Sequence, residues 1–285
     1  CPTSLVEEAQ AALRRATARS GAQVPSIMNV IDTDEKPPTY FRLNKFTAGF
    51  HVLVEAYGVP RYGELNPSAF AVVTFPFLFG IMFGDIGHGA LVVLFALYFI
   101  WNEAKFEAMR DMDEIISYAW HGRYVLLLMG FSSMYAGLLY NDIFGLMADL
   151  FGSAWVAGSE GGYKQRADAD AVYPFGLDPA WHHSLNELSF SNSYKMKLSI
   201  VFGVLQMLLG LVCSLINSLH FRSEIEVWCE FVPQAIFMLS IFGYLVFCIF
   251  YKWCIDWVEE GLPAPSLIAM LIAFFMQPGK VPAEA

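Results

Sequence analysis

The sequence predicts an all-α, polytopic transmembrane helical bundle with a short cytosolic N-terminal segment and a luminal loop. Three observations carry this. Of 285 residues, 56% are hydrophobic and only 15% charged, far from the balance of a soluble domain. Formal charge is absent from five runs of 17 to 22 residues, about the helix length that crosses a hydrocarbon core. The 25 Phe, 13 Tyr and 7 Trp suit apolar spans and their interfaces.

The same composition removes several function classes. A net charge of -10 leaves no basic face for phosphates, so nucleic acid is no partner. The five cysteines (Cys1, Cys213, Cys229, Cys248, Cys254) fall in no C-x-x-C or other metal spacing and read as packing residues. Glu7, Glu8, Arg14 and Arg15 interrupt any apolar core near the N-terminus, so no secretory signal is present there. Cys1-Pro2 without an initiator Met points to a start inside a longer protein.

Along the chain, Ser4 and Glu7 form a capping-box pattern ahead of an amphipathic helix that stops at Ser20-Gly21. Pro37-Pro38 punctuates a loop, and Thr47 to Tyr57, closed by Gly58, reads as a helix able to lie on a membrane surface. Leu65 to Gly84 and Ile86 to Asn102 are charge-free on either side of Asp85; as one helix they would run about 57 Å, so two crossings are expected. Gly84 and Gly87 are expected to supply the backbone freedom for that reversal. Tyr124 to Asn141, Leu198 to Leu219 and Phe231 to Tyr251 complete five crossings, while Leu267 to Met276 is too short to span and reads as interfacial or re-entrant. Gly130, Ser133 and Gly137 share one helix face, and Gly203, Gln206 and Gly210 another, as ordinary close packing or as contact with a partner helix.

Basic residues near span ends number six on the N-terminal side (Lys45, Arg61, Lys105, Arg110, Arg123, Arg222) against three on the other, which places the N-terminus in the cytosol and Asp142 to Lys197 in a lumen. Parity then gathers Asp85, His88, Asp142, Lys195, Lys197 and Lys252 on the luminal side. Asp85 and His88 lie three apart and can share a helix face, and opposite charges at similar depth should pair, Asp85 with Lys195 and Lys197. These groups either line a hydrated vestibule for protons or form a network that pins helix ends. Gly158 to Lys164 lacks a phosphate-cradle pattern, His182-His183 lacks zinc spacing, and Ser132-Ser133 lacks a nucleophile elbow, so no catalytic site, metal or cofactor is called for.

Certain motifs are far more specific. Pro37-Pro38-Thr39-Tyr40, Asn44-Lys45-Phe46-Thr47, Thr74-Phe75-Pro76-Phe77-Leu78-Phe79 and Met82-Phe83-Gly84-Asp85-Ile86-Gly87-His88-Gly89 closely resemble the a subunit of the eukaryotic V-type proton-pumping ATPase. The resemblance runs on through Tyr140-Asn141-Asp142, Tyr173-Pro174-Phe175-Gly176-Leu177-Asp178-Pro179, Tyr194-Lys195-Met196-Lys197, Tyr251-Lys252-Trp253 and Pro278-Gly279, covering essentially the whole chain.

The resemblance implies a stator that holds two aqueous half-channels against a rotating ring of proteolipid c subunits, driven by ATP hydrolysis elsewhere. It implies as partners that ring, the d and e subunits of the membrane sector, the peripheral stalk and the lipid bilayer. It also implies residence in vacuole, lysosome, endosome or Golgi membranes. Asp85, His88, Asp142, Lys195, Lys197 and Lys252 carry over as polar groups serving assembly and luminal proton access. All nine arginines (Arg14, Arg15, Arg19, Arg42, Arg61, Arg110, Arg123, Arg166, Arg222) lie outside the charge-free spans, so the family's intramembrane arginine and its later helices have no counterpart here; the chain is a middle piece or one part of a split subunit. The expected organisation is 1–64, end of a cytosolic domain and pre-membrane helices; 65–141, three membrane helices; 142–197, luminal loop; 198–251, two more membrane helices; and 252–285, a luminal segment with a short interfacial helix. A stand-alone channel or secondary transporter and a non-transporting assembly scaffold are the rival readings, although no internal repeat supports a transporter.

Overall fold

A computed structural model describes residues 3–21, 27–31, 37–109, 113–157, 164–166, 172–255, 257, 261 and 264–276. The chain divides into two compact units, Cys1–Pro38 and Thr39–Ala285. In the first, a 3-10 turn (Thr3–Leu5) leads into α1 (Val6–Ser20), and Gly21 ends it in the left-handed conformation at φ 65° that glycine adopts without cost. The capping box expected at Ser4 does not form: the N-cap position falls on Leu5, which makes no side-chain cap.

The second unit is mostly helical. It opens with α2 (Lys45–Glu55), two residues earlier than expected because the Asn44 backbone N–H donates to Thr47 Oγ1 (3.0 Å) and starts the helix there. Then come α3 (Ser68–Met82), α4 (Ile86–Trp101), α5 (Glu103–Ala108), α6 (Glu114–His121) and α7 (Arg123–Tyr140). Phe50 on α2 and Pro76 on α3 are fully buried. The helix α7 packs against both α3 and α4 and is the centre of this half. Its small-residue face permits that: a Cβ on Gly130 would lie 2.7 Å from Val93 Cγ2, and one on Gly80 of α3 would lie 2.5 Å from the Ser132 carbonyl oxygen. Ser133, on the same face of α7, is fully buried. The stripe read from the sequence is therefore a helix–helix contact within the chain.

The segment after α7 contains a two-stranded antiparallel ribbon, β1 (Trp155–Ala157) with β2 (Lys164–Arg166), in the register Trp155↔Arg166 and Ala157↔Lys164. The glycine-rich stretch 158–162 lies outside the described residues. A 3-10 turn (Pro179–His183) then leads into α8 (Glu187–His220). The continuous helix α9 (Glu224–Cys254) follows, and α10 (Leu267–Met276) is the last described helix. Two π-helical turns, Val227–Phe231 and Leu239–Gly243, lie within α9. The first ends just before Pro233, whose ring would clash with the carbonyl four residues back in a tighter helix.

Among the described residues, α8 and α9 are the two helices long and apolar enough to cross a membrane; α6 and α7, bent by 70° at Gly122, make a third if the pair is one span. At 34 residues, α8 runs about 51 Å and outreaches a core of about 30 Å. By contrast α3 and α4 have 15 and 16 residues, about 22 to 24 Å each. The difference from the charge-free runs has a local cause. Asn66-Pro67 and the Phe83–Asp85 reversal take residues out of the helices at both ends of α3. The ten residues of α10 reach about 15 Å, half a core.

Candidate functional site

The reversal between α3 and α4 builds the site. Asp85 is the N-cap of α4: its Oδ1 accepts from the backbone N–H groups of Gly87 (2.7 Å) and His88 (3.2 Å), two of the orphan donors at a helix start. The same oxygen accepts from the Phe144 N–H (3.1 Å) across the bundle, and Oδ2 meets His88 Nδ1 at 2.5 Å. An ionised carboxylate only accepts, so Nδ1 carries the hydrogen. Asp85 is largely covered while the His88 side chain is half-exposed, its ring edge-on to Phe83 and Phe144. Burial pulls the Asp85 carboxyl upward, but the bonds from the His88 side chain and from the backbone of Phe144, His88 and Gly87 outweigh it and hold the group below the ordinary carboxylate value.

The end of α7 closes over this turn. Ser133 Oγ donates to the Phe83 carbonyl (2.5 Å) and lies 3.3 Å from that of Asp85, and Tyr140 Oη donates to the Ile81 carbonyl (2.9 Å). Asn141 takes the left-handed conformation (φ 53°), which turns the chain so that the Asp142 carbonyl accepts from the Ile86 N–H at 3.0 Å. Gly84 and Gly87 have negative or extended φ, contrary to the expected role in the reversal. What they provide is room: a Cβ at Gly84 would strike the Tyr140 ring and one at Gly87 the Phe144 ring.

Asp142 accepts from the Gly145 N–H (2.9 Å) and faces Lys195 Nζ at 3.9 Å; that ammonium also sits 4.9 Å from the Tyr140 ring centroid. The carboxylate of Lys195 is thus Asp142, not Asp85 as the charge pattern led one to expect, because Asp85 is already occupied by the α4 cap. Lys197 has no carboxylate within ion-pair distance among the described residues. Lys252 donates to the Pro265 carbonyl (2.6 Å), and its helix end approaches α8 through the Tyr194 and Trp253 rings, 6.3 Å apart. The structure therefore joins Asp85, His88, Asp142 and Lys195, and leaves Lys197 and Lys252 at the margin.

Residues that sequence reasoning passed over complete the cluster. His182 Nδ1 pairs with Glu187 Oε1 at 2.9 Å, and a cavity of about 90 Å³ lies among Tyr140, Asp142, His182, Glu187, Ser191 and Lys195. That is room for about three waters at bulk density. The segment bearing His182 is held by buried Asp178, which accepts from Ser153 Oγ (2.7 Å) and the N–H groups of Ala154 and Ala180. Asn141 Nδ2 donates to the carbonyls of Ala148 and Leu177, and Trp181 stacks on Phe190 at 3.9 Å. The motif from Tyr173 to Pro179 was visible in the sequence as part of the resemblance; its attachment to the end of α7 was not.

A second charged group lies at the other end of α4 and α7. Glu103 Oε1 accepts from Lys45 Nζ (2.8 Å) and Arg123 Nη2 (3.0 Å), and the buried Arg123 guanidinium stacks on Trp120 (4.4 Å) and Tyr124 (4.9 Å). The hydrogen bond to Lys45 holds Glu103 below its ordinary value, and the same bond raises Lys45. Neither group of charges sets a nucleophile beside a base. The first can hold or relay protons at His88, Asp142 and the His182–Glu187 pair; the second ties three helix ends together.

Comparison with known proteins gives one consistent result. A family model described as the V-type ATPase 116kDa subunit family matches residues 1–285. The chain is 48% identical over 283 residues to V-type proton ATPase subunit a of Schizosaccharomyces pombe, covering 98% of this chain and 34% of that protein. It is 49% identical over 277 residues to the vacuolar isoform of V-type proton ATPase subunit a of Saccharomyces cerevisiae, covering 96% and 33%. With the Golgi isoform of the same yeast it shares 49% identity over 263 residues, covering 92% and 29%. The chain spans about a third of the length of the curated relatives it matches.

Proposed function

Because the chain belongs to the V-type ATPase 116kDa subunit family, we propose that it is part of the stationary membrane sector of a V-type proton pump. In this reading it anchors the complex during ATP-driven transport and shapes the luminal approach of the proton path. The relatives named for vacuolar and Golgi isoforms support residence in such membranes. Five crossings with a cytosolic N-terminus remain the topology we favour, with α3 and α4 as short, paired crossings beside α7. The proteolipid ring, the d and e subunits and the peripheral stalk are the proposed partners.

The single observation that carries the reading is the convergence of two ion pairs at one end of the bundle, Asp85 with His88 at the α3–α4 reversal and Asp142 with Lys195 beside a small cavity. Charged groups are costly at membrane depth, and here they gather at the two ends of the bundle, which supports a hydrated entrance at this end rather than a pathway through this chain alone. Four hydrogen bonds already engage Asp85. That favours a supporting role for this carboxylate, keeping the entrance in shape, over direct proton exchange.

The test is Asp85→Asn in the complete subunit, read as ATP-driven vesicle acidification together with assembly of the complex. Asn still caps a helix start but loses the ionic contact to His88. A several-fold loss of acidification or of assembled complex is expected. Normal values of both would remove Asp85 from the functional account.

A further inference from the structure

Away from the polar cluster, a cavity of about 530 Å³ opens between the α2–α3 linker, the start of α3 and the C-terminal half of α8. Its volume lies within the range of small-molecule sites. On α8 the lining runs from Asn217 to Gln206, about 16 Å along the helix axis, or half the depth of a hydrocarbon core of about 30 Å. It is therefore one leaflet deep. Gly210 forms part of the floor, where a Cβ would meet nothing within 4 Å, and Phe70 and Cys213 add apolar wall.

The rim is polar. The Asn217 side-chain oxygen accepts from the Leu65 N–H (2.9 Å), leaving its NH₂ group without a hydrogen bond to any described residue. Glu64 uses one carboxylate oxygen to accept from the Arg61 N–H (2.6 Å), leaving the other. A hydroxyl both donates and accepts, so it can meet a carboxylate oxygen and an amide NH₂ together. The lining contains no lysine or arginine, and its one charged side chain is Glu64. An anionic phosphate headgroup would meet repulsion there with no lysine or arginine in the lining to offset it.

From this geometry we infer that the groove binds a neutral, hydroxyl-headed lipid of the sterol class, its hydroxyl at Glu64 and Asn217 and its ring body along Gly210. A rigid ring system fills such a groove with less loss of conformational freedom than an acyl chain. The inference rests on the proposed crossing of the bilayer by α8, which makes the groove open to lipid.

The experiment uses the full-length subunit in its assembled complex, in native membranes, with a cholesterol that carries a diazirine and an alkyne. Crosslinks are expected in peptides covering 64–71 and 206–217. Gly210→Trp, which fills the floor, should lower them about tenfold, as a loss of roughly 1.4 kcal/mol in affinity would. Gly203→Trp lies outside the lining, has the same open surroundings, and should leave them unchanged. Glu64→Lys should lower sterol labelling and raise labelling by a photoreactive phosphatidylserine.

Sterol labelling indifferent to Gly210→Trp, or equal labelling of these peptides by a photoreactive phosphatidylcholine, overturns the proposal. Failure of the underlying crossing is seen separately. Leu185→Cys and Phe221→Cys, at the two ends of α8, would then react with an impermeant maleimide from the same side of sealed vesicles. Labelling from opposite sides with no sterol crosslink removes the groove site alone.

Discussion

Four hydrogen bonds converge on the Asp85 carboxylate, and they set how the turn answers to acid. The folded protein holds this carboxyl below its ordinary value, so the stabilisation is present above the unfolded pKa of about 3.9 and is lost as pH falls through the lower folded value. Amide exchange at Gly87, His88 and Phe144 should therefore be equally protected at neutral pH and in a mildly acid lumen, and lose protection only below the usual carboxylate range. In Asp85→Asn that acid step should vanish. Ser133→Ala removes the hydroxyl that donates to the Phe83 carbonyl and should cost about 1 kcal/mol in denaturant unfolding. The Asp85–His88 pair was legible in the sequence because i, i+3 spacing is local. The Asp142–Lys195 pair was not, since the nearer claim of the α4 cap on Asp85 depends on where Phe144 lies in space.

At the scale of elements, the spacing of Gly130, Ser133 and Gly137 was enough to find the close face of α7. At Gly203 and Gly210 of α8 no described residue comes within 4 Å of an added Cβ, so packing within the chain does not account for that stripe and contact with a partner helix stays a proposal. Periodicity shows that a face is smooth and cannot show what meets it. A Cβ on Gly137 would lie 2.7 Å from the Asp85 carbonyl carbon, so Gly137→Ala should destabilise the bundle by about 1–3 kcal/mol. Gly203→Ala, with open space around it, should be neutral or slightly stabilising, since alanine is the better helix former. Differential thermal stability of the two variants in detergent separates the cases. The α6–α7 elbow depends on Arg123, which was read from the sequence only as an orientation signal. Buried against Trp120 and Tyr124, it ties the elbow to α5 and, through Glu103, to α2. Arg123→Ala should cost about 3 kcal/mol or more, and Arg123→Lys should recover only part of it, because one ammonium cannot reproduce the forked contact.

For the molecule as a whole, composition alone made the membrane class legible, and motif content made the family legible. The helix lengths were less so. Charge-free runs mark where a chain can enter lipid, but helix ends are set by Asn66-Pro67, the Asp85 cap and the 70° bend at Gly122. The ribbon and the Asp178-centred turn after α7 carry no hydrophobic period and became visible only through their bonds to Asn141 and the ends of α7. The central claim is that one end of this bundle is luminal and carries the polar cluster, while the Lys45–Glu103–Arg123 clasp faces the cytosol. Single cysteines at exposed Phe144 and Leu185 on one end, and at Tyr57 and Trp101 on the other, test it in sealed vesicles of known orientation. The account expects an impermeant maleimide to reach 144 and 185 only from the luminal side and 57 and 101 only from the cytosolic side. Reaction of 144 and 185 from opposite sides, or of all four positions from one side, would contradict it.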